Sequence, residues 1–148
     1  MNQRILYTNS EGGLSIIIPA PGVVIETVIA TSVPLGTPYQ VVDVSQIPSD
    51  RSFRGAWERS GSTIVTNMVK AKSIFRDKIR QVRRPLLSQL DIDLVKEYEK
   101  PVPHTTSIIN KKQILRDAPA NPAIDAAETP AELKACWDTT ILGTNPFI

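Results

Sequence analysis

An apolar residue recurs at Met68, Ala71, Phe75, Ile79, Val82, Leu86 and Leu90, at intervals of 3, 4, 4, 3, 4 and 4. That is the stripe of an amphipathic helix, because residues three and four apart share one face of a 3.6-residue turn. Its length, about six turns, needs apolar cover along one side, which the rest of the chain or another molecule must supply. Thr66 or Asn67 stands where the N-cap of such a helix belongs. Pro85 falls inside the stripe and is expected to kink or break it, since it lacks an N–H and its ring crowds the carbonyl four residues back. The pattern resumes through Leu94, Val95 and Tyr98, and Pro101 and Pro103 end it.

Ahead of the stripe the chain reads differently. Every glycine but Gly143 lies before residue 66, among short β-branched runs. Arg4-Ile5-Leu6-Tyr7-Thr8 reads as a strand and residues 14–18 as a second. Asn9-Ser10-Glu11-Gly12-Gly13 between them is the turn of a hairpin. Residues 23–31 are apolar with Glu26 as their one charge, a composition that fits a strand or a short helix. Tyr39-Gln40-Val41-Val42-Asp43 is a third strand. Pro48-Ser49-Asp50 can cap a short helical turn running to Trp57, and residues 62–65 form a last extended piece.

Beyond the long helix, a second helix is expected over residues 106–117, with Ile108, Ile109, Leu115 and Ile114 inward. Residues 118–128 read as a linker with one apolar anchor, Ile124. Thr129-Pro130-Ala131-Glu132 then carries a complete helix start: a capping threonine, proline at the first helical position and glutamate at the third. The expected fold class is therefore α+β, with a small β-rich part over residues 1–65, a helical hairpin plus short helix over 66–137, and a tail over 138–148. The tail ends in Pro146-Phe147-Ile148, and an aromatic so near the end of a chain is expected to dock on a neighbour.

Composition excludes several classes of chemistry. With 148 residues there is one cysteine, Cys136, and one histidine, His104, so neither an internal disulfide nor an ordinary four-ligand zinc site can be assembled from them. A Cys–His nucleophilic pair would have to join a cysteine on an apolar helix face to a loop histidine. The glycines form no GxxxxGK[ST], GxGxxG or GxSxG arrangement, so no phosphate cradle or nucleophile elbow is present. No enzymatic activity, cofactor or metal is expected. Seventeen Lys and Arg against fifteen Asp and Glu leave +2, which argues for neither nucleic acid nor membrane. No apolar run approaches the ~20 residues that span a bilayer, and the opening residues lack the apolar core of a secretory signal.

One segment departs from that neutrality. Lys70, Lys72, Arg76, Lys78, Arg80, Arg83 and Arg84 face a single acid, Asp77, and the following stretch answers with Asp91, Asp93, Glu97 and Glu99. A basic helix can lie along phosphates. Phe75, however, belongs to the apolar stripe and no aromatic is free to stack on bases. A helix face paired with acids of the hairpin or of another subunit is the preferred reading, and Arg76 and Arg80, one turn apart, could clamp a carboxylate. The candidate interface residues are Arg76, Arg80, Arg83, Trp57, Phe147 and Ile148. Core packing is the default for Trp57.

Several stretches taken together carry a resemblance. Asp50-Arg51-Ser52-Phe53-Arg54-Gly55-Ala56-Trp57, the basic helix from Met68 onward to Leu90-Asp91, Gln113-Ile114-Leu115-Arg116-Asp117 and Thr129-Pro130-Ala131-Glu132-Leu133-Lys134 resemble a group of small tailed-bacteriophage proteins. Their helical hairpin ends in a KQ-x-LRD, P-x-I, T-x-x-EL pattern, and the similarity spans roughly residues 40–137. The ending is also similar to that of tail fibre assembly chaperones. The resemblance implies a virion structural component of the tail, baseplate, fibre-attachment or neck region. Its partners would be other phage structural proteins, the chain being homo-oligomeric or part of a symmetric assembly, with neither nucleic acid nor membrane involved. An assembly chaperone absent from the particle is the alternative it implies; a DNA-contacting protein using helix 70–84 is the alternative the charges imply.

Overall fold

A computed structural model describes residues 2–148. The chain is α+β and divides into two compact units, Met1–Ala71 and Lys72–Ile148. The division falls inside the long helix.

In the first unit β1 (Gln3–Thr8) and β2 (Leu14–Ile17) form the expected hairpin. The Asn9 carboxamide oxygen accepts from the N–H groups of Glu11 and Gly13 at 3.0 and 2.9 Å, and Gly12 takes φ +76°, which an L side chain resists. The ambiguous stretch 23–31 resolves as helix α1 (Ile25–Ser32), none of whose residues is buried. Strand β3 (Tyr39–Asp43) lies antiparallel to β1 on its other side, giving the order β2-β1-β3. Across the sheet Ile5 is level with Ile17 and Val41, whereas Leu6 is level with Ile16 and Gln40. Adjacent residues of the central strand therefore point to opposite faces. Both Ile5 and Leu6 are fully buried, so each face of β1 is covered.

After β3 the Asp43 carboxylate and the Gln46 amide cap a single 3-10 turn reciprocally. A second such turn, Arg54–Ala56, leads into strands β4 (Trp57–Ser60) and β5 (Thr63–Thr66). They are joined by a two-residue loop with Gly61 at φ +62°, the sign a tight hairpin requires at that position. Phe53, Ala56, Trp57 and Val42 complete this unit's core.

Asn67 is the N-cap of α2 (Met68–Tyr98): its side-chain oxygen accepts from Lys70 N at 3.1 Å. Its amide nitrogen donates to Glu58 Oε1 at 2.9 Å, and Lys70 Nζ meets the same oxygen at 2.7 Å. These two donors, lysine first, hold the Glu58 carboxyl below its ordinary range.

The expected break at Pro85 does not occur: α2 runs through it for 31 residues. Proline costs the helix one backbone bond, to the carbonyl of Gln81. Gln81 and Pro85 are both exposed, so water can serve the orphaned oxygen.

The second unit continues from Lys72. Helix α3 (Thr106–Asp117) is followed by a 3-10 turn over Ala118–Ala120 and helix α4 (Pro122–Ala126). Then come α5 (Pro130–Ala135) and α6 (Thr139–Leu142). Thr129 and Glu132 close the anticipated capping box. The stretch read as a linker is thus ordered into short helical turns, and its anchor Ile124 is fully buried. Phe75, Ile79, Leu115, Leu133, Trp137, Leu142 and Phe147 join it in the core. Ile109 and Ile114, expected inward, are 46% and 49% exposed.

Candidate interaction surface

The residues that could support catalysis do not converge. His104 is exposed in the loop after α2, where its backbone N–H donates to Glu97. Cys136 is half-buried at the end of α5 and donates to the Glu132 carbonyl at 3.3 Å. Burial, and then the nearby Glu132 carboxylate, push its thiol above the ordinary cysteine range, which lowers the thiolate fraction a nucleophile needs. Among the described residues no group of three or more His, Cys, Asp and Glu is placed to hold a metal ion. No described helix is long and apolar enough to cross a membrane.

The basic segment of α2 is largely engaged by its own chain. Arg76 Nη2 meets Asp125 Oδ1 at 2.6 Å while its Nε donates to the Pro119 carbonyl at 3.0 Å, and Lys72 donates to the Asp125 carbonyl at 2.7 Å. The carboxylate expected for an Arg76 clamp is therefore Asp125 of α4. The arginine's hydrogen bond draws that carboxyl below the usual aspartate range. Arg83 donates to the Leu115 and Arg116 carbonyls, satisfying acceptors left open at the end of α3. Lys78 bonds to Gln81 and Arg80 to Asp77 on the same helix. Arg76 and Arg83 accordingly act as fasteners within the chain, because α3 and the turns after it bring backbone carbonyls to α2. Arg80 stays at the surface. Of the seven basic residues, Arg84 alone makes no such contact among the described residues.

The fasteners give a test. Arg76→Ala is expected to raise amide hydrogen exchange over residues 118–127, while Arg80→Ala, whose partner is one turn away, leaves it unchanged. Asp125→Asn should act like Arg76→Ala at neutral pH. Because the folded pKa of Asp125 is depressed, its contribution is complete above about pH 4 and fades as pH falls through that lower value. The difference between wild type and Asp125→Asn should therefore shrink as pH falls below about 4, read by exchange or by urea midpoint across an acid titration.

Trp57 and Phe147 are both buried within the chain. Trp57 is 4% exposed in the core of the first unit. Phe147 is 7% exposed and does not wait for a neighbour: its ring stacks on Phe75 at 5.2 Å and meets Trp137 edge-on at 5.9 Å. Asn145 seats the tail, donating to the Lys134 carbonyl at 3.0 Å and accepting from Phe147 N at 3.0 Å. The Trp137 indole N–H donates to the carbonyl of Gly143, where a φ of +78° turns the chain back. Ile148 points outward, at 97% exposure.

The surface available to a partner lies elsewhere. Between residues 86 and 114 no side chain is buried, yet Ile92, Val95, Tyr98, Val102, Ile109 and Ile114 stand there between 46% and 66% exposed. A groove of about 350 Å³ opens between Leu86, Leu90, Ile114, Leu115 and Ile141. A shallower depression on α2 is lined by Asp91, Ile92, Val95 and Lys96. Sequence reasoning passed over Ile92, which lies off the main stripe; an apolar residue on the polar side of an amphipathic helix was the available signal.

No family model, no curated protein and no solved structure matches the chain at a significant level.

Proposed function

We propose that this chain is a structural component of a tailed-phage virion, in the tail, baseplate, fibre-attachment or neck region, that acts through protein–protein contacts. The observation that carries the reading is the hairpin region 86–114, which exposes seven large apolar side chains, Leu86 among them, while burying none. Apolar surface of that kind costs solubility and is characteristic of interaction sites. The similarity of residues 40–137 to small phage proteins supplies the setting. Engagement of most of the basic residues of α2 within the chain weighs against the DNA-contacting alternative, since phosphates would have to compete with Asp125 and with the carbonyls at the end of α3.

The test is mass spectrometry of purified particles with copy number. The expected result is detection in multiples of three or six, as closed symmetric rings require. A protein abundant in the infected lysate but missing from particles would overturn this reading in favour of an assembly chaperone.

A further inference from the structure

We propose that α2 pairs antiparallel with α2 of a second copy of this chain, about a two-fold axis at Ile92. The contact surface is the stripe Arg84, Ser88, Ile92, Val95 and Glu99. These positions are separated by 4, 4, 3 and 4 residues. At 100° per residue they fall within an arc of about 80° on one side of the helix. All five are exposed, with Ile92 at 51% and Val95 at 59%. Glu99 lies at the helix end, its N–H still bonded to the Val95 carbonyl.

Charge singles out a second copy as the occupant. Arg84 and Glu99 bear opposite signs at the two ends of the stripe, and neither side chain has a hydrogen-bond or ion-pair partner among the described residues; of the other charges nearby, Asp91 pairs with Lys112 and Glu97 with Lys100, while Lys96 beside the stripe has no such partner among the described residues. Arg84 stands eight residues before Ile92 and Glu99 seven after it, while Ser88 stands four before and Val95 three after. An antiparallel copy centred on Ile92 therefore sets each Arg84 against the partner's Glu99 and each Val95 against the partner's small Ser88. Ile92 meets its own equivalent. A two-fold interface has to be self-complementary in this way, and the stripe is.

This inference goes beyond the structural-component reading, and its test needs no particle.

The test uses the purified full chain. Sedimentation velocity is expected to show a concentration-dependent dimer with a Kd on the order of 10–100 µM, in keeping with a contact of about four helical turns. Arg84→Glu and Glu99→Arg should each weaken it about tenfold, since two symmetric pairs turn repulsive. The double variant Arg84→Glu/Glu99→Arg should return to within about threefold of wild type. Ile92→Glu should abolish the dimer while circular dichroism stays unchanged. In a Cys136→Ser background, Ile92→Cys should form a disulfide-linked dimer on oxidation and Arg84→Cys should not, since only residue 92 sits beside the axis. A monomer at every concentration, or a dimer insensitive to both Ile92→Glu and charge reversal, overturns the proposal. A dimer that charge reversal weakens but the double variant fails to restore overturns the antiparallel register. Particle incorporation alongside any of these outcomes would leave the structural-component reading standing.

Discussion

Phe147→Ala is expected to destabilise residues 72–148 by about 3–5 kcal/mol, the usual cost of truncating a buried aromatic. For a unit of this size that corresponds to a fall in Tm on the order of 10–20 °C. The size follows from what the ring touches. Phe147 is the third member of an aromatic cluster with Phe75 and Trp137, whose centroids lie 5.2 to 5.9 Å apart. Phe75 is fully buried, so removing Phe147 leaves a cavity beside a ring that helix α2 holds in place. Deleting residues 145–148 should cost at least as much, because it also removes the Asn145 bond to the Lys134 carbonyl. Phe147→Leu, which keeps most of the volume, should cost much less. A Phe75→Ala/Phe147→Ala double-mutant cycle should return a coupling of about 1 kcal/mol. Thermal or urea unfolding reads all four. A stable Phe147→Ala chain that fails only in assembly would restore the tail to the role of a docking element.

The parts of the fold legible in the sequence are those governed by neighbours along the chain. The hairpin at Asn9–Gly13, the strand at 39–43, the helix over 106–117 and the capping box at Thr129 each depend on residues within a few positions of one another. Where local signals conflict with tertiary ones, the sequence misleads. Pro85 carries a strong local breaking signal, but one missing bond at an exposed position is a small loss against the packing of a long helix. Residues 23–31 had no decisive period, and their helix buries nothing that would have imposed one.

The candidate interface shows the same limit. Arg76 and Arg83 read as surface charges because their partners, Asp125, Pro119, Leu115 and Arg116, are 32 to 49 positions away. No spacing rule connects such groups. Phe147 misled for the converse reason: ends of chains usually fray. Here Gly143 reverses the backbone and Asn145 anchors it, so a residue next to the last becomes core. The outward residues of α2 stand in contrast. Ile92 is visible in the sequence as an apolar side chain on a polar face, and the structure leaves it there, whereas Val95 and Tyr98, read as continuing the apolar stripe, are 59% and 62% exposed.

Trp57→Ala is expected to destabilise the first unit by about 3–5 kcal/mol as well, and to do so without altering the aromatic cluster of the second. Trp57 is 4% exposed at the start of β4, level with Thr66 across the hairpin. The backbone of Ala56, immediately before it, accepts from Asn67 N at 2.8 Å, and Asn67 in turn caps α2. Loss of the indole therefore removes packing at the point where the β4–β5 hairpin is tied to the start of the helix. Phe53, 2% exposed, and Ala56, fully buried, belong to the same core and cannot fill a tryptophan-sized space without moving backbone. Trp57→Phe should recover most of the loss. The check is tryptophan fluorescence. The chain has two tryptophans, so in Trp57→Ala the remaining signal reports Trp137 alone. Its emission should be that of a buried indole at low urea, while amide exchange over residues 53–67 is already fast. Emission of a solvent-exposed indole under the same conditions would mean that the two cores fail together, and that the division after Ala71 is one of contact density rather than of stability.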